Sequence, residues 1–355
     1  MNNSEICIDV RDLKIHFPAR SGLVGKISGW TKAVDGVSFA VRKGEVFAIV
    51  GESGCGKTTA AQAIMGLLRP TSGAIKIFID DSNTAGDQSS SRLTDKSPKI
   101  WDNLNAAQRK NLRKNMQIVF QDPYSSLNPR MTVRSILEEP LIIHKLGNQK
   151  ERDARIDELL HQVGLSKSYL DRYPHEFSGG QRQRIGIARS IATAPKLIVA
   201  DEPVSALDVS IQAQIINLLQ DMQTKYNQTL LFISHDLAVV RHIANRIAVM
   251  YQGKIMEMGS DEQIFSSTLH PYTELLLKSV PTINKSKTNE KISADKEDAA
   301  VNKTSDDKSQ NETGGYCGCG FYPRCPVRTE QCRNESPQLK DFGDGHTCAC
   351  FRAKC

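Results

Sequence analysis

The chain has 355 residues, enough for one large domain with additions, and 46 Lys and Arg against 40 Asp and Glu leave a formal charge of +6. Its basic residues are scattered rather than interleaved with aromatics, which argues against nucleic-acid binding. No apolar run approaches the roughly 18 residues of a membrane-crossing helix, and the start, Met1-Asn2-Asn3-Ser4-Glu5, has neither a basic region nor an apolar stretch, so no secretory signal peptide is expected.

In chain order, the first informative element is Val46-Phe47-Ala48-Ile49-Val50, an apolar run with the length of a buried strand. Gly51-Glu52-Ser53-Gly54-Cys55-Gly56-Lys57-Thr58 follows and fits G-x-x-x-x-G-K-[ST], and Thr59 to Leu68 reads as a helix. Glycines let the backbone curl so that its N–H groups face an anion, and the helix N-terminus adds the positive end of a dipole. The phosphate-binding set is therefore Gly51, Ser53, Gly54, Cys55, Gly56, Lys57, Thr58 and Thr59, with Lys57 reaching the β- and γ-phosphates and Thr58 a ligand for Mg²⁺.

Residues 80–98 are polar and rich in Ser, Asp and Thr, and read as a surface loop. Helix-like patterns such as Ile156-Asp157-Glu158-Leu159-Leu160 fall within 130–178. Ser178-Gly179-Gly180-Gln181 offers a hydroxyl, backbone N–H groups and a helix start, a second set of donors for a phosphate. On its own it is also an ordinary turn. Leu197 to Glu202 reads as a buried parallel strand closed by two carboxylates. Asp201 at the strand end suits Mg²⁺ or its water, and Glu202, one residue on, suits the attacking water. Ser205-Ala206-Leu207-Asp208 follows, and then Ile233-Ser234-His235-Asp236.

Residues 286–315 are Lys, Asp, Ser, Asn and Glu with few apolar partners and read as a linker. Beyond it, seven of the nine cysteines fall between Cys317 and Cys355. In a reducing compartment such clustering reads as metal ligation rather than disulfides.

The three strings together, phosphate loop, Ser-Gly-Gly-Gln and Asp-Glu in this order, resemble the ATP-binding subunits of ABC transporters. The resemblance covers residues 9–282 and again 317–350. It is closest to the second ATPase of the pair that powers oligopeptide or dipeptide importers. Phe120-Gln121-Asp122-Pro123-Tyr124-Ser125-Ser126-Leu127-Asn128-Pro129-Arg130-Met131, Ala206-Leu207-Asp208-Val209-Ser210-Ile211-Gln212 and Leu269-His270-Pro271-Tyr272-Thr273 carry that narrower match. Phe177 stands where the common signature has Leu.

The resemblance implies an α/β fold: an ABC-type phosphate-loop ATPase core with an antiparallel β subdomain and a helical subdomain, plus a small Cys-rich C-terminal extension. The core would span 5–285, with the helical subdomain near 130–178, and the Cys-rich tail 316–355. It implies that Gln121 senses Mg²⁺, that His235 contacts the γ-phosphate, and that Asp208 lies at a dimer seam. Ser178, Gly179, Gly180 and Gln181 would complete the ATP site of a second chain. Phe17 is the candidate aromatic for adenine, with Trp30 second, and residues 18–31 look like an insertion. In the tail, Cys319, Cys325, Cys332 and Cys348 match the extension of the peptide importers, where four cysteines hold a [4Fe–4S] cluster; zinc is the rival occupant. With the linker between them, tail and core are expected to be separate, and the tail to dock or stabilise rather than catalyse.

The implied function is an ATPase that powers peptide import through two permease subunits at the cytoplasmic face of the membrane. A second, related ATPase would be its partner and an external binding protein would deliver substrate. Nickel importers of the same subfamily, a non-transport ABC ATPase and a metal- or redox-sensing regulator are the alternatives.

Overall fold

The computed structural model describes residues 5–21, 26–79, 99–279 and 318–354. The polar loop at 80–98, the linker at 286–315, Cys317 and Cys355 lie outside the described residues. In chain order the strands are β1 (Ile6–Ser21), β2 (Lys26–Arg42), β3 (Val46–Val50), β4 (Ser72–Ile77), β5 (Met116–Val119), β6 (Leu197–Asp201), β7 (Thr229–Ser234), β8 (Arg246–Tyr251), β9 (Lys254–Ser260), β10 (Lys340–Asp341) and β11 (Thr347–Cys348). The helices are α1 (Lys57–Ile64), α2 (Ala106–Asn115), α3 (Pro123–Ser126), α4 (Val133–Ile143), α5 (Gln149–Gln162), α6 (Gly179–Ile191), α7 (Val209–Tyr226), α8 (Leu237–Ile243), α9 (Asp261–Ser266), α10 (Pro271–Lys278) and α11 (Glu330–Asn334).

Two sheets organise the chain. The larger runs β10-β11-β9-β8-β3-β7-β6-β5 and the smaller β2-β1-β4. Strands β5, β6, β7, β3 and β8 are parallel to one another. The inner four, β6, β7, β3 and β8, are buried throughout or nearly so, which is why they read as continuous apolar runs rather than alternating ones, while β5 at the edge is half-buried. Their side chains still alternate between two cores. Val46, Ala48 and Val50 of β3 face the helical cluster, while Phe47 and Ile49 face the antiparallel β2-β1-β4 sheet.

On the helical side, α4 and α5 lie within residues 130–178 and pack with α6 through Leu137, Leu141, Ile156, Leu160, Ile185 and Ala188. Each start is capped. Thr132 caps α4, Asn148 with Glu151 forms a capping box on α5, and Ser178 with Gln181 forms one on α6.

Two expectations change, and one segment is placed. The helix after the phosphate loop stops at Ile64 rather than Leu68, because Gly66 turns to φ +69° and Trp101 Nε1 donates to the Ile64 carbonyl at 2.8 Å. Residues 18–21 and 26–31 are the outer end of the β1–β2 hairpin, paired from Pro18↔Trp30 to Ser21↔Lys26. Finally, the C-terminal segment does not stand apart. Strand β11 pairs with β9, with Cys348 opposite Glu257, and Phe321, Cys319 and Cys332 belong to the same apolar cluster as β3 and α6. The antiparallel edge offered by β9 and the need to bury the Phe321 ring decide where the segment ends.

Candidate functional site

The phosphate loop joins the buried end of β3 to α1. Gly56 takes φ +106°, and a Cβ there would meet the Ala33 carbonyl oxygen at 2.0 Å, so only glycine fits this turn. Lys57 is buried, and its ammonium donates to the carbonyls of Gly51 at 2.8 Å and Glu52 at 2.9 Å. It lies 3.7 Å from Glu202 Oε1. Ser53 and Gly54 are exposed at the loop tip, and Cys55 is buried beneath it, where desolvation pushes its thiol pKa up. Thr59 is the third residue of α1.

Three strand ends converge on this loop. Asp201 closes β6, and Thr58 Oγ1 donates to its Oδ1 at 3.0 Å. Burial pushes the Asp201 carboxyl pKa up, against the Thr58 hydrogen bond and the Lys57 charge. A hydroxyl and a buried carboxylate at this spacing form a hard-oxygen pair of the kind Mg²⁺ takes, and a divalent cation would offset the desolvation that burial imposes.

Glu202 follows in the left-handed region at φ +44°, uncommon for a residue with a side chain, and its N–H donates to the Ile233 carbonyl at 3.0 Å. Such strain persists where surrounding structure enforces it. Here it turns the carboxylate toward Gln121 and His235. Gln121 Nε2, beyond the end of β5, donates to Glu202 Oε2 at 3.1 Å, and His235 Nδ1, beyond the end of β7, lies 3.1 Å from the same oxygen. Gln121, Glu202, His235, Lys57, Thr58 and Asp201 thus form one constellation.

Other sequence candidates lie apart from it. Ser178 is the N-cap of α6, and its hydroxyl accepts from Gln181 N–H at 3.3 Å. Gly179 and Gly180 open the helix, and a Cβ on Gly180 would press Ile211 Cγ2 at 2.6 Å. Among the described residues no hydrogen bond or ion pair joins 178–181 to 51–58. Asp208 is the exposed N-cap of α7; its carbonyl accepts from Ile211 and Gln212, while Gln212 Nε2 donates to the Val204 and Leu207 carbonyls and braces the turn. Phe17 and Trp30 are both exposed on the hairpin, opposite Thr31 and Pro18. The base of that hairpin is tied to the loop by two backbone bonds, Asp35 N–H to Gly253 O at 2.8 Å and Gly253 N–H to Cys55 O at 2.9 Å.

The comparisons with known proteins give the family. Residues 34–205 match the family model described as "ABC transporter", and residues 256–332 the one described as "Oligopeptide/dipeptide transporter, C-terminal region". The chain is 47% identical over 348 residues to the oligopeptide transport ATP-binding protein AppF of Bacillus subtilis, covering 98% of each chain. It is 42% identical over 350 residues to the di/tripeptide transport ATP-binding protein DppF of Pseudomonas aeruginosa, covering 99% of this chain and 98% of that one. The chain belongs to the ATP-binding subunits of ABC-type peptide transporters. Among solved structures it resembles the dimeric post-hydrolysis state of the cassette MJ0796 bound to ADP and Pi. That match has a TM-score of 0.59 and 26% identity, over 71% of this chain and 98% of that one.

The C-terminal part of the chain builds a second constellation. Cys319, Cys325, Cys332 and Cys350 line one small cavity together with His270, Phe321 and Phe351. Sequence spacing pointed to Cys348 as the fourth cysteine; the cavity takes Cys350 instead. Cys348 is fully buried on the β11–β9 ladder opposite Glu257, where desolvation and that carboxylate push its thiol pKa far up. The one-residue gap between Cys348 and Cys350 was the signal that two thiols compete for one place. Burial also pushes the Cys319 and Cys325 thiols up and holds the His270 imidazole neutral, with its pKa pulled down to about 4. Thr329 Oγ1 lies 3.1 Å from Cys332 Sγ, and Arg352 N–H donates to Cys350 Sγ at 3.4 Å. Among the described residues no group of three or more His, Cys, Asp or Glu side chains is gathered closely enough for a single metal ion.

For two residues of the phosphate-loop site no sequence signal marks this role, although Tyr272 lies in a string that carries the family resemblance. Tyr272 Oη accepts from Glu52 N–H at 3.0 Å, and Arg324 donates twice to the Glu52 carboxylate at 2.8 Å. Both partners are more than 200 positions away in the chain, and only the fold brings them to the loop.

Proposed function

We propose that this chain is the ATP-hydrolysing subunit of a peptide importer, and that Glu202, held by Gln121 and His235 beside Lys57 and the Thr58–Asp201 pair, is its general base. The observation that carries the reading is this convergence of three strand ends on one carboxylate. The loop N–H groups and Lys57 hold the β- and γ-phosphates of ATP; the ammonium exchanges its two loop carbonyls for phosphate oxygens. Thr58 and Asp201 would hold Mg²⁺, with Gln121 beside them, and the cation would supply positive charge to offset that of the phosphates. Glu202 orients and polarises a water for in-line attack on the γ-phosphorus. The new P–O bond forms as the bond to the bridging oxygen breaks, and ADP and phosphate leave. His235 steadies Glu202 and reaches the γ-phosphate.

Ser178, Gly179, Gly180 and Gln181 serve the ATP of a second chain. Their place at the exposed start of α6, away from this chain's own loop, supports that reading, as does the dimeric cassette whose fold this chain shares. Asp208 lies at the seam between the two ATPases, and Phe17 stacks on adenine, with Trp30 the other aromatic on the same hairpin end. The partner ATPase is a related chain, and closure of the pair drives two permease subunits to which an external binding protein delivers substrate. No helix among the described residues is long and apolar enough to cross a membrane, which suits a peripheral subunit on the cytoplasmic face. The relatives are named for oligopeptides and di/tripeptides, which favours peptides over nickel.

Cys319, Cys325, Cys332 and Cys350, which line one cavity, would hold a [4Fe–4S] cluster. The donor set fits such a group: four thiols on one cavity, with a hydroxyl and an N–H close to two of the sulfurs. A tetrahedral zinc ion on the same thiolates is the rival occupant.

The test is reconstitution of the chain with its partner ATPase, permease pair and binding protein in vesicles. The reading expects ATP-dependent uptake of short peptides. ATPase activity stimulated by nickel-loaded binding protein and not by peptide would move the chain to the other branch of the subfamily.

A further inference from the structure

The phosphate loop and the C-terminal segment meet at Glu52. Arg324 Nη1 donates to Glu52 Oε2 and Arg324 Nη2 to Glu52 Oε1, both at 2.8 Å, a bidentate fork. The Glu52 N–H donates to Tyr272 Oη at 3.0 Å, and its carbonyl accepts from Lys57 Nζ at 2.9 Å. One loop residue is thereby held at its amide, its carbonyl and its side chain.

Two of those three holds reach the C-terminal region. The Tyr272 ring packs against Phe321, with centroids 5.3 Å apart, and both are fully buried. Arg324 lies in the single 3₁₀ turn Tyr322–Arg324, immediately before Cys325. That turn is fixed at both ends by cavity cysteines: Tyr322 N–H donates to Cys319 O at 2.9 Å and Cys325 N–H to Tyr322 O at 3.3 Å. The guanidinium is therefore placed by the residues that line the cysteine cavity.

Charge gives this contact a direction. Glu52 directly follows Gly51 in the loop whose N–H groups receive an anion, so its carboxylate is unfavourable beside a polyphosphate unless neutralised. Arg324 supplies the neutralising charge and fixes the loop backbone.

We propose that Arg324 is a positioning residue for the phosphate loop, neutralising and pinning Glu52, and that through its turn the state of the cysteine cavity sets the affinity for ATP. The proposal rests on the reading that the loop binds ATP. It replaces the expectation of a tail with no bearing on nucleotide binding. Both side chains are partly exposed, 43% for Arg324 and 40% for Glu52, so the contact belongs with solvent-screened pairs. The expected effect is about two- to fivefold in Kd.

The experiment is calorimetric titration of ATP into the full chain, for wild type, Arg324→Ala, Arg324→Lys, Cys325→Ser and the Arg324→Ala/Cys325→Ser double variant. Arg324→Ala should weaken ATP binding by about two- to fivefold, and Arg324→Lys, which keeps the charge but not the fork, should fall between it and wild type. In the assembled transporter the loss should fall on KM for ATP rather than on kcat. Cys325→Ser should weaken binding in the wild-type background and add nothing in the Arg324→Ala background. An unchanged Kd in Arg324→Ala, or a Cys325→Ser effect of equal size in both backgrounds, overturns the proposal. Should Arg324→Ala misfold, Glu52→Gln tests the same contact from the loop side: Arg324→Lys must then lose its effect in the Glu52→Gln background, and an undiminished effect overturns the proposal. A wild-type chain that binds no ATP would sink the functional reading itself and this proposal with it, an outcome distinct from an ATP-binding chain indifferent to Arg324.

Discussion

Glu202 receives Gln121 and His235 on the same carboxylate oxygen, at 3.1 Å each, and keeps Lys57 at 3.7 Å from the other. On the proposed reading the base is oriented by the Gln121 amide and the His235 ring and balanced by the buried Lys57 ammonium. Glu202→Gln keeps the shape and removes the charge, so it should lower steady-state turnover by about 10²- to 10⁴-fold while ATP still binds. Turnover close to wild type in that variant would remove Glu202 from the catalytic role. These residues were legible one at a time because each belongs to a short string at the end of an apolar run. Their convergence was not, since nothing local says that the ends of β5, β6 and β7 lie side by side. Arg324 was illegible as a partner of Glu52 for the same reason: an Arg before a Cys carries no trace of a carboxylate 272 residues earlier.

At the scale of elements, the C-terminal segment shows how far composition reaches. The cysteine cluster was visible from counting, and the polar run before it read as a linker. The antiparallel pairing of β11 with β9 was invisible, because two-residue strands leave no periodicity. The end of that short strand separates the neighbouring thiols: Cys348 sits in the ladder opposite Glu257, and Cys350, beyond the strand, lines the cavity. Protein purified without oxygen should accordingly contain iron and absorb broadly in the visible, as thiolate-ligated clusters do. Cys325→Ser, Cys332→Ser and Cys350→Ser should each lose that iron, and Cys348→Ser should retain it. Iron lost on replacing Cys348 but kept on replacing Cys350 would return the fourth place to Cys348, and one zinc with no iron per chain would exchange the cluster for a single ion.

For the whole molecule, the two halves of an ATP site lie on different parts of the chain. The loop lies between β3 and α1 and the Ser178–Gln181 capping box at the start of α6, with no polar contact between them among the described residues. On the proposed reading, a single chain holds two half-sites and completes neither. The measurement that tests this most directly is ATP turnover per chain as a function of protein concentration, with and without the partner subunits. Turnover should be negligible for the dilute, demonstrably monomeric chain and rise steeply with concentration or on adding the partner. Ser178→Arg should abolish that rise while leaving ATP binding by the same chain intact. Full-rate hydrolysis by the monomer, unchanged on dilution and in the Ser178 variant, would contradict the composite site.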